Sequence, residues 1–344
     1  MNFQIAALLG QDGITNGAIY ALLALSIVLV FTVTRILLIP QGEFVSFGAL
    51  TMGMMQNGQP LTVAWLLVAL CLAAAACDVF DMWRAGRRRI SPWLPAKLVY
   101  AALVTWAALA LPWAGMPMLL QVAMTLLLLV PMGPLLYRIV FQPIASASPL
   151  VLLIVSIAAH VALVGVALLV FGPEGARTAP FTDAALEVGS LRLSSQALWV
   201  ICVSLLLIVG LFVMFERTLY GKALRAAALN RMGARLMGIS PVFAGKAMFF
   251  LASLIGVVSG VLIAPLTTIY YDSGFLISLK GFVGAIFGGL VSYPAAAIGA
   301  VAIGLIESFS TFWASAYKEI IVFVLIIPIL LWRSLSSRHV EDEE

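Results

Sequence analysis

Few side chains in this sequence could do chemistry, and most of those lie in apolar surroundings. Glu307, in Gly-Leu-Ile-Glu-Ser-Phe-Ser, is the deepest carboxylate of any apolar run. Glu43 and Lys280 stand at the ends of such runs, and His160 stands alone in the middle of one. A charge inside hydrocarbon is costly, so ionisable groups in such runs mark routes, relays or paired contacts. His160 reads as a ring hydrogen-bonded in a helix interface rather than as a ligand or a proton carrier. Glu307 has two readings: a carboxylate on a path, or one near a span end that reaches water or a helix terminus. A proton- or sodium-coupled carrier would use more intramembrane acids. Their scarcity points to a conduit driven from outside this chain.

Other chemistry has no residues to carry it. No G-x-x-x-x-G-K-[ST] loop occurs. Gly221-Lys222-Ala223 and Gly245-Lys246-Ala247 lack both its spacing and its hydroxyl. There is no H-E-x-x-H, the two histidines are far apart, and no Ser/His/Asp set is evident. Cys71, Cys77 and Cys202 sit in or at the ends of apolar runs, which argues against a disulfide framework or a metal site. No catalytic residue, metal or cofactor is expected in this chain. The net charge of +4 does not imply nucleic-acid binding, because the basic residues belong to loops.

These residues are positioned by membrane helices. The chain is 63% hydrophobic and 10% charged, against roughly a quarter charged in soluble domains. The expected fold class is all-α: a polytopic membrane protein of 10 to 11 transmembrane helices in one domain, residues 1–344. Runs are expected near 13–34, 43–57, 61–77, 98–112, 118–137, 150–171, 197–214, 241–269, 278–291, 294–312 and 317–332. Pro131 and Pro134 should kink the fifth. The tail, 333–344, is polar. No basic stretch precedes the first run, so a cleaved signal peptide is not expected. With eleven segments, 15 of the 19 Lys and Arg fall on one face and four, including Lys280, on or near the other. The positive-inside rule then predicts an outer N-terminus and a cytoplasmic C-terminus.

Two stretches interrupt this pattern. Pro40 and Gly42 break the chain before the second run, with Gln41 and Glu43 at the break. Residues 43–50 echo 281–290, both short and Gly-rich. Running in opposite directions, they would be broken helices of an inverted repeat, near a transport path. The candidate path residues are Gln41, Gly42, Glu43, Gly288, Gly289 and Glu307. The alternative is chance similarity between glycine-rich helices.

The polar stretch 215–246 carries Arg217, Lys222, Arg225, Arg231, Arg235 and Lys246 against one acid, Glu216. Arg231 and Arg235 are spaced i, i+4, as are Met232 and Leu236, giving adjoining basic and apolar faces. Gly238 suits a helix C′ position with Ile239 closing it, and Ser240-Pro241 reads as N-cap and N1. The stretch reads as a structured docking element. A solvated basic loop that only sets topology is the alternative.

Three blocks carry a family resemblance. Gly13 to Leu25, leading into Gln41-Gly42-Glu43, resembles the opening of the Liv-type permeases of branched-chain amino-acid ABC importers. Gly221 to Ala226 and Leu236 to Ile239 resemble that family's coupling loop. Ser259 to Leu262, Phe287 to Pro294, Gly299, Gly304 and Glu307 resemble its C-terminal core. The resemblance implies a permease for branched-chain amino acids in a bacterial inner membrane. It also implies a second related permease, two ATP-binding subunits that hydrolyse ATP, and a periplasmic substrate-binding protein. Coupling would fall to Lys222, Arg225, Arg231, Met232, Arg235, Leu236 and Gly238. Urea, short amides or a sugar are alternative cargoes, and a secondary carrier or channel an alternative class. The chain departs from the family at Asn230, where an acid is common. Residues 78–117 read as an insertion with an extra span and a basic loop.

Overall fold

A chain in hydrocarbon must satisfy its backbone polar groups internally, so long apolar runs become helices. The computed structural model describes residues 3–84, 93–182, 185–188 and 191–336. In chain order the helices are α1 (Phe3–Thr34), α2 (Gln41–Gln56), α3 (Val63–Arg84), α4 (Trp93–Ala110), α5 (Met118–Leu129), α6 (Met132–Leu136), α7 (Pro149–Phe171), α8 (Ser195–Arg217), α9 (Leu219–Leu229), α10 (Arg231–Leu236), α11 (Pro241–Ile263), α12 (Ser273–Phe287), α13 (Tyr293–Ala314), α14 (Lys318–Val324) and α15 (Ile326–Ser336). Among the described residues one small antiparallel pair, β1 (Ala185–Val188) and β2 (Leu191–Ser194), joins α7 to α8.

Seven helical stretches among the described residues are long and apolar enough to cross a membrane. The last of them, Tyr293–Leu331, contains a turn at Ser315–Tyr317, after which α15 comes to pack on α12. With the shorter α2, α4 and α12, each of the eleven expected runs has a helix or a broken helix. The protein is an all-α polytopic membrane protein.

α1 is the central post. Ile19 to Val30 are buried on every side, and α8, α11, α12 and α13 pack around it. Gly13 of α1 lies on Leu305 and Thr32 near Leu290, so α13 runs against α1. Gly284 lies on Ala300 and Gly288 on Ala296, so α12 runs against α13 and therefore with α1. The end of α1 and the start of α11 share one groove, through Thr34 and Val242, so α11 runs against α1. α2 runs with α11, since Gln41 reaches Ala252 while Val45 lies on Gly260. Thus α2 and α12 point in opposite directions.

The proline kink has a visible repair. Pro134 has no N–H for the carbonyl of Val130, four residues back. The Ser253 hydroxyl of α11 donates to that carbonyl instead, at 2.7 Å. The helix is broken between Leu129 and Met132 and widens into one π-type turn at Tyr137–Phe141.

Several boundaries differ from expectation: α1 starts at Phe3, ten residues early, and α4 at Trp93, five early. α11 stops at Ile263, where the chain turns and Ile269 pairs with Ala176. α12 starts at Ser273, five residues early, because Gly274 is packed inside. α3 continues past Cys77 to Arg84. Its last turns carry Asp78 and Asp81, which bind Arg138 at 2.7 and 2.5 Å, and Lys97 bonds Asp78 at 2.6 Å. The segment 78–117 is thereby tied to the body of the fold. Arg87, Arg88 and Arg89 lie outside the described residues.

Candidate functional site

The chain leaves α1 at Arg35, whose φ is +61°. It then folds back along α7, where the Ser156 hydroxyl donates to Leu37 O and accepts from Ile39 N, at 2.7 and 3.0 Å. α2 therefore begins inside the protein. Gln41 Nε2 donates to Ala252 O at 3.0 Å. Gly42 lies on Gly274, the second residue of α12, so closely that a Cβ on either would fall on the other's carbonyl. Gly274 N donates to Ser46 Oγ at 2.8 Å. Two short helices thus meet start to start, with the positive ends of both dipoles converging.

Glu43, in the first turn of α2, is fully buried. Its Oε1 shares a hydrogen bond with His160 Nδ1 at 2.8 Å, the donor set by the ring's tautomer, while Oε2 has no partner among the described residues. Gln41 Oε1 is likewise buried and unmatched. The His160 ring stacks on Phe275, 4.4 Å between centroids. It also lines an apolar groove of about 290 Å³ with Ile27, Leu38, Ile39, Ile157 and Phe282. The sequence signal for this site was the break at Pro40–Glu43, whereas His160 read only as a ring in a helix interface. Gly274 and Phe275 gave none.

The other path candidates lie elsewhere. Gly289 (φ +65°) and Leu290 (φ +59°) form the turn into α13. Gly288 is closed in by Ser292 and Ala296. They sit about 20 Å from Gly274 along α12, at 1.5 Å per residue. The echo of α2 in α12 is therefore out of register: Gln41-Gly42 answers Ser273-Gly274, not 281–290. Glu307 is not at the junction either. Both its oxygens are used, by Lys280 Nζ at 2.5 Å and by Tyr20 OH at 2.7 Å. Lys280 is not at a span end, as the sequence suggested. It is buried between α1, α12 and α13, with its ammonium 5.8 Å from the Tyr20 ring centroid.

At the far end of the fold, α9 and α10 form a compact pair. Thr218 caps α9 and Asn230 caps α10, through Gly221 N and Gly233 N at 3.0 and 2.9 Å. α10 ends in a Schellman closure: Gly238, φ +79°, donates to Arg235 O and Ile239 donates to Ala234 O. Ser240 then caps α11, with Pro241 at its first position. Met232, Leu236 and Met237 are exposed at 68, 83 and 81%, beside exposed Lys222 and Arg235. Arg225 pairs with Glu216 at 2.5 Å. Arg231's side chain lies outside the described residues. Met232 and Arg235 also edge a groove of about 440 Å³ shared with Tyr137, Gln142 and Val242.

Residues 94–330 match the family model described as branched-chain amino acid transport system / permease component. The high-affinity branched-chain amino acid transport system permease protein LivH of Escherichia coli is 23% identical over 335 residues, 93% of this chain and 91% of that protein. The corresponding permease protein BraD of Pseudomonas aeruginosa is 24% identical over 244 residues, 69% of this chain and 79% of that protein. The probable permease LivH of Methanocaldococcus jannaschii is 33% identical over 137 residues, 38% of this chain and 44% of that protein. No solved structure matches. Since the family model spans more than half of the chain, the protein belongs to the permease components of branched-chain amino acid transport systems.

Proposed function

We propose that this chain forms the translocation path of an ATP-driven importer of branched-chain amino acids in a bacterial inner membrane. What supports the reading is the start-to-start meeting of α2 and α12 beside an apolar groove, in a chain of this family. Irregular backbone at such depth is tolerated where it faces protein or a cavity. Converging helix starts suit a solute with a negative end, and aliphatic walls suit a branched side chain. Gln41, Gly42 and Glu43 belong to this path in our reading. Glu307 instead fixes α12 and α13 to α1.

The chain carries no nucleotide loop, so ATP is bound and hydrolysed by two separate subunits. They dock on α9 and α10, with Met232 and Leu236 filling a pocket and Arg231 and Arg235 at its rim. Lys222 and Arg225 flank this surface, and Gly238 holds the helix end in place. A second related permease completes the path, and a periplasmic binding protein delivers the solute. The N-terminus is periplasmic and the C-terminus cytoplasmic, which places the basic α9–α10 pair inside. No cofactor is assigned to this chain.

The test is uptake by the full complex in proteoliposomes, with ATP inside and binding protein outside. ATP-dependent accumulation of leucine, isoleucine or valine is expected. Accumulation of urea or a short amide with none of the three amino acids would overturn the substrate, and uptake without ATP would overturn the class.

A further inference from the structure

Between α7 and α8 the chain crosses the end of the fold opposite α9 and α10. It leaves α7 at Gly172, whose φ is +79° and around which a Cβ would meet nothing. Ala176 and Ile269 then exchange both backbone hydrogen bonds, at 2.9 and 3.0 Å. Arg177 Nε donates to Pro265 O at 3.1 Å, and Thr178 N to Ala264 O at 3.3 Å. Gly53 of α2 sits on Ala176, so closely that a Cβ there would lie 2.7 Å from the Ala176 Cβ. Ala179 N donates to Gln56 Oε1 at 2.8 Å. This strap therefore holds two things at once. One is the last turn of α2, the helix that begins at the Gly42 contact. The other is the arm 264–272, which leads into Gly274. The two helices that meet start to start are clasped together by the same few residues.

Gln196, in the first turn of α8, fastens the strap. Its side chain is buried, and both ends of its amide are used. Oε1 accepts from Phe181 N at 3.1 Å, and Nε2 donates to Leu262 O at 2.9 Å, in the last turn of α11. A backbone N–H only donates and a carbonyl only accepts, so this amide has one orientation and no protonation state enters. Hydrogen bonds, rather than apolar burial, hold the segment. Residues 172–180 read Gly-Pro-Glu-Gly-Ala-Arg-Thr-Ala-Pro, without one large apolar side chain. Pro173, Glu174, Ala179 and Pro180 are exposed, while the partner Ile269 is 1% exposed. Hydrogen bonds near a surface exchange for bonds to water at small net cost. A segment held in this way opens at lower free energy than the helices around it.

We propose that residues 172–181 are a gate over the junction of α2 and α12, closed in this structure, and that Gln196 is its latch. Solute passes when the strap lifts from Ile269 and Gln56. This rests on the proposed function for the solute and its route. Gln196 is a positioning residue: it acts through Phe181 and Leu262.

The gate is tested in the full importer complex in proteoliposomes, with ATP inside and binding protein and L-leucine outside. The background lacks Cys71, Cys77 and Cys202. Ala176→Cys with Ile269→Cys puts thiols on a hydrogen-bonded antiparallel pair, whose Cα atoms lie about 5.5 Å apart, within disulfide reach. Oxidation should stop leucine uptake, and reduction should restore it. Undiminished uptake by protein shown by mass spectrometry to be fully cross-linked would overturn the gate. The latch is read separately, by maleimide labelling of Ile269→Cys in the full chain in nanodiscs, without ATP or solute. Gln196→Leu should speed that labelling about tenfold, the effect on an opening equilibrium of losing two such bonds. Equal labelling rates with and without the amide would overturn the latch. If the reduced complex imports no branched-chain amino acid while Gln196→Leu still speeds labelling, the substrate reading falls and the latch stands. If the cross-linked complex imports leucine, the gate falls and the transport reading stands.

Discussion

Gly42 and Gly274 meet backbone to backbone, each leaving no room for a Cβ on the other. Backbone cannot swing aside as a flexible side chain can. Overpacking of this kind costs ~1–3 kcal/mol. Gly274→Ala should therefore lower the thermal midpoint of the purified protein and depress transport. Gly210→Ala is the control, because a Cβ there meets nothing within 4 Å. Equal midpoints for the two variants would show that α2 and α12 can separate freely.

Lys280 and Glu307 form a buried ion pair, with side chains 8 and 10% exposed. Removing one partner of such a pair costs about 3–5 kcal/mol, while replacing both with apolar groups is often neutral. Lys280→Met and Glu307→Met should each destabilise strongly, and the double variant should recover most of the loss. A thermal-unfolding cycle measures this. Additive losses would mean the two groups do not depend on each other.

Leu236 is an apolar side chain held out on a closed helix. Leu236→Asp should leave the permease in the membrane but abolish co-purification of the ATP-binding subunit and transport-coupled hydrolysis. Arg231→Ala should be milder, as rim charges set orientation more than affinity. Wild-type coupling in Leu236→Asp would move the docking surface elsewhere, with the α3–α4 region next in line.

Deleting 78–117, by joining Cys77 to Met118, should still allow insertion in the membrane. It also removes Asp78 and Asp81 from Arg138, whose side chain is 7% exposed. The deleted protein should be unstable, and Arg138→Met should restore part of the loss. No gain from Arg138→Met would show that the ion pairs contribute little.

Sidedness is predicted from helix number and charge. In a background free of Cys71, Cys77 and Cys202, cysteines at Ile5 and Leu335 should label from opposite sides of the membrane. Labelling from one side would remove one pass from the fold.

The sequence made the helices legible because hydrocarbon enforces a single solution on a long apolar run. Local closures were legible too: Ser240, Pro241 and Gly238 act on neighbours within four residues. The site was legible only at Gln41–Glu43, where proline and glycine break the pattern. Its other half was hidden, because Gly274 matters through Gly42, 232 positions earlier in the numbering. Lys280 was misplaced for the same reason. Its carboxylate is 27 residues away, and the tyrosine sharing that carboxylate is 287 residues from it. Glycine richness alone suggested 281–290 as the counterpart of α2, but the match lies at the start of α12.

Gly221 seats α9 directly on the end of α8, against the Met214 carbonyl and Phe215. The Thr218 hydroxyl locks the same corner, donating to Met214 O and accepting from Gly221 N at 3.0 Å. α8 and α9 both lie on α1. Force applied to α9 therefore meets a crank with no slack at its elbow. A displacement of α9 would pass to α8 and to the central post, whose Tyr20 bonds Glu307. If an ATP-binding subunit docks on α9 and α10 as proposed, a single flexible residue inserted between Arg217 and Leu219 should uncouple transport while leaving the docking surface in place.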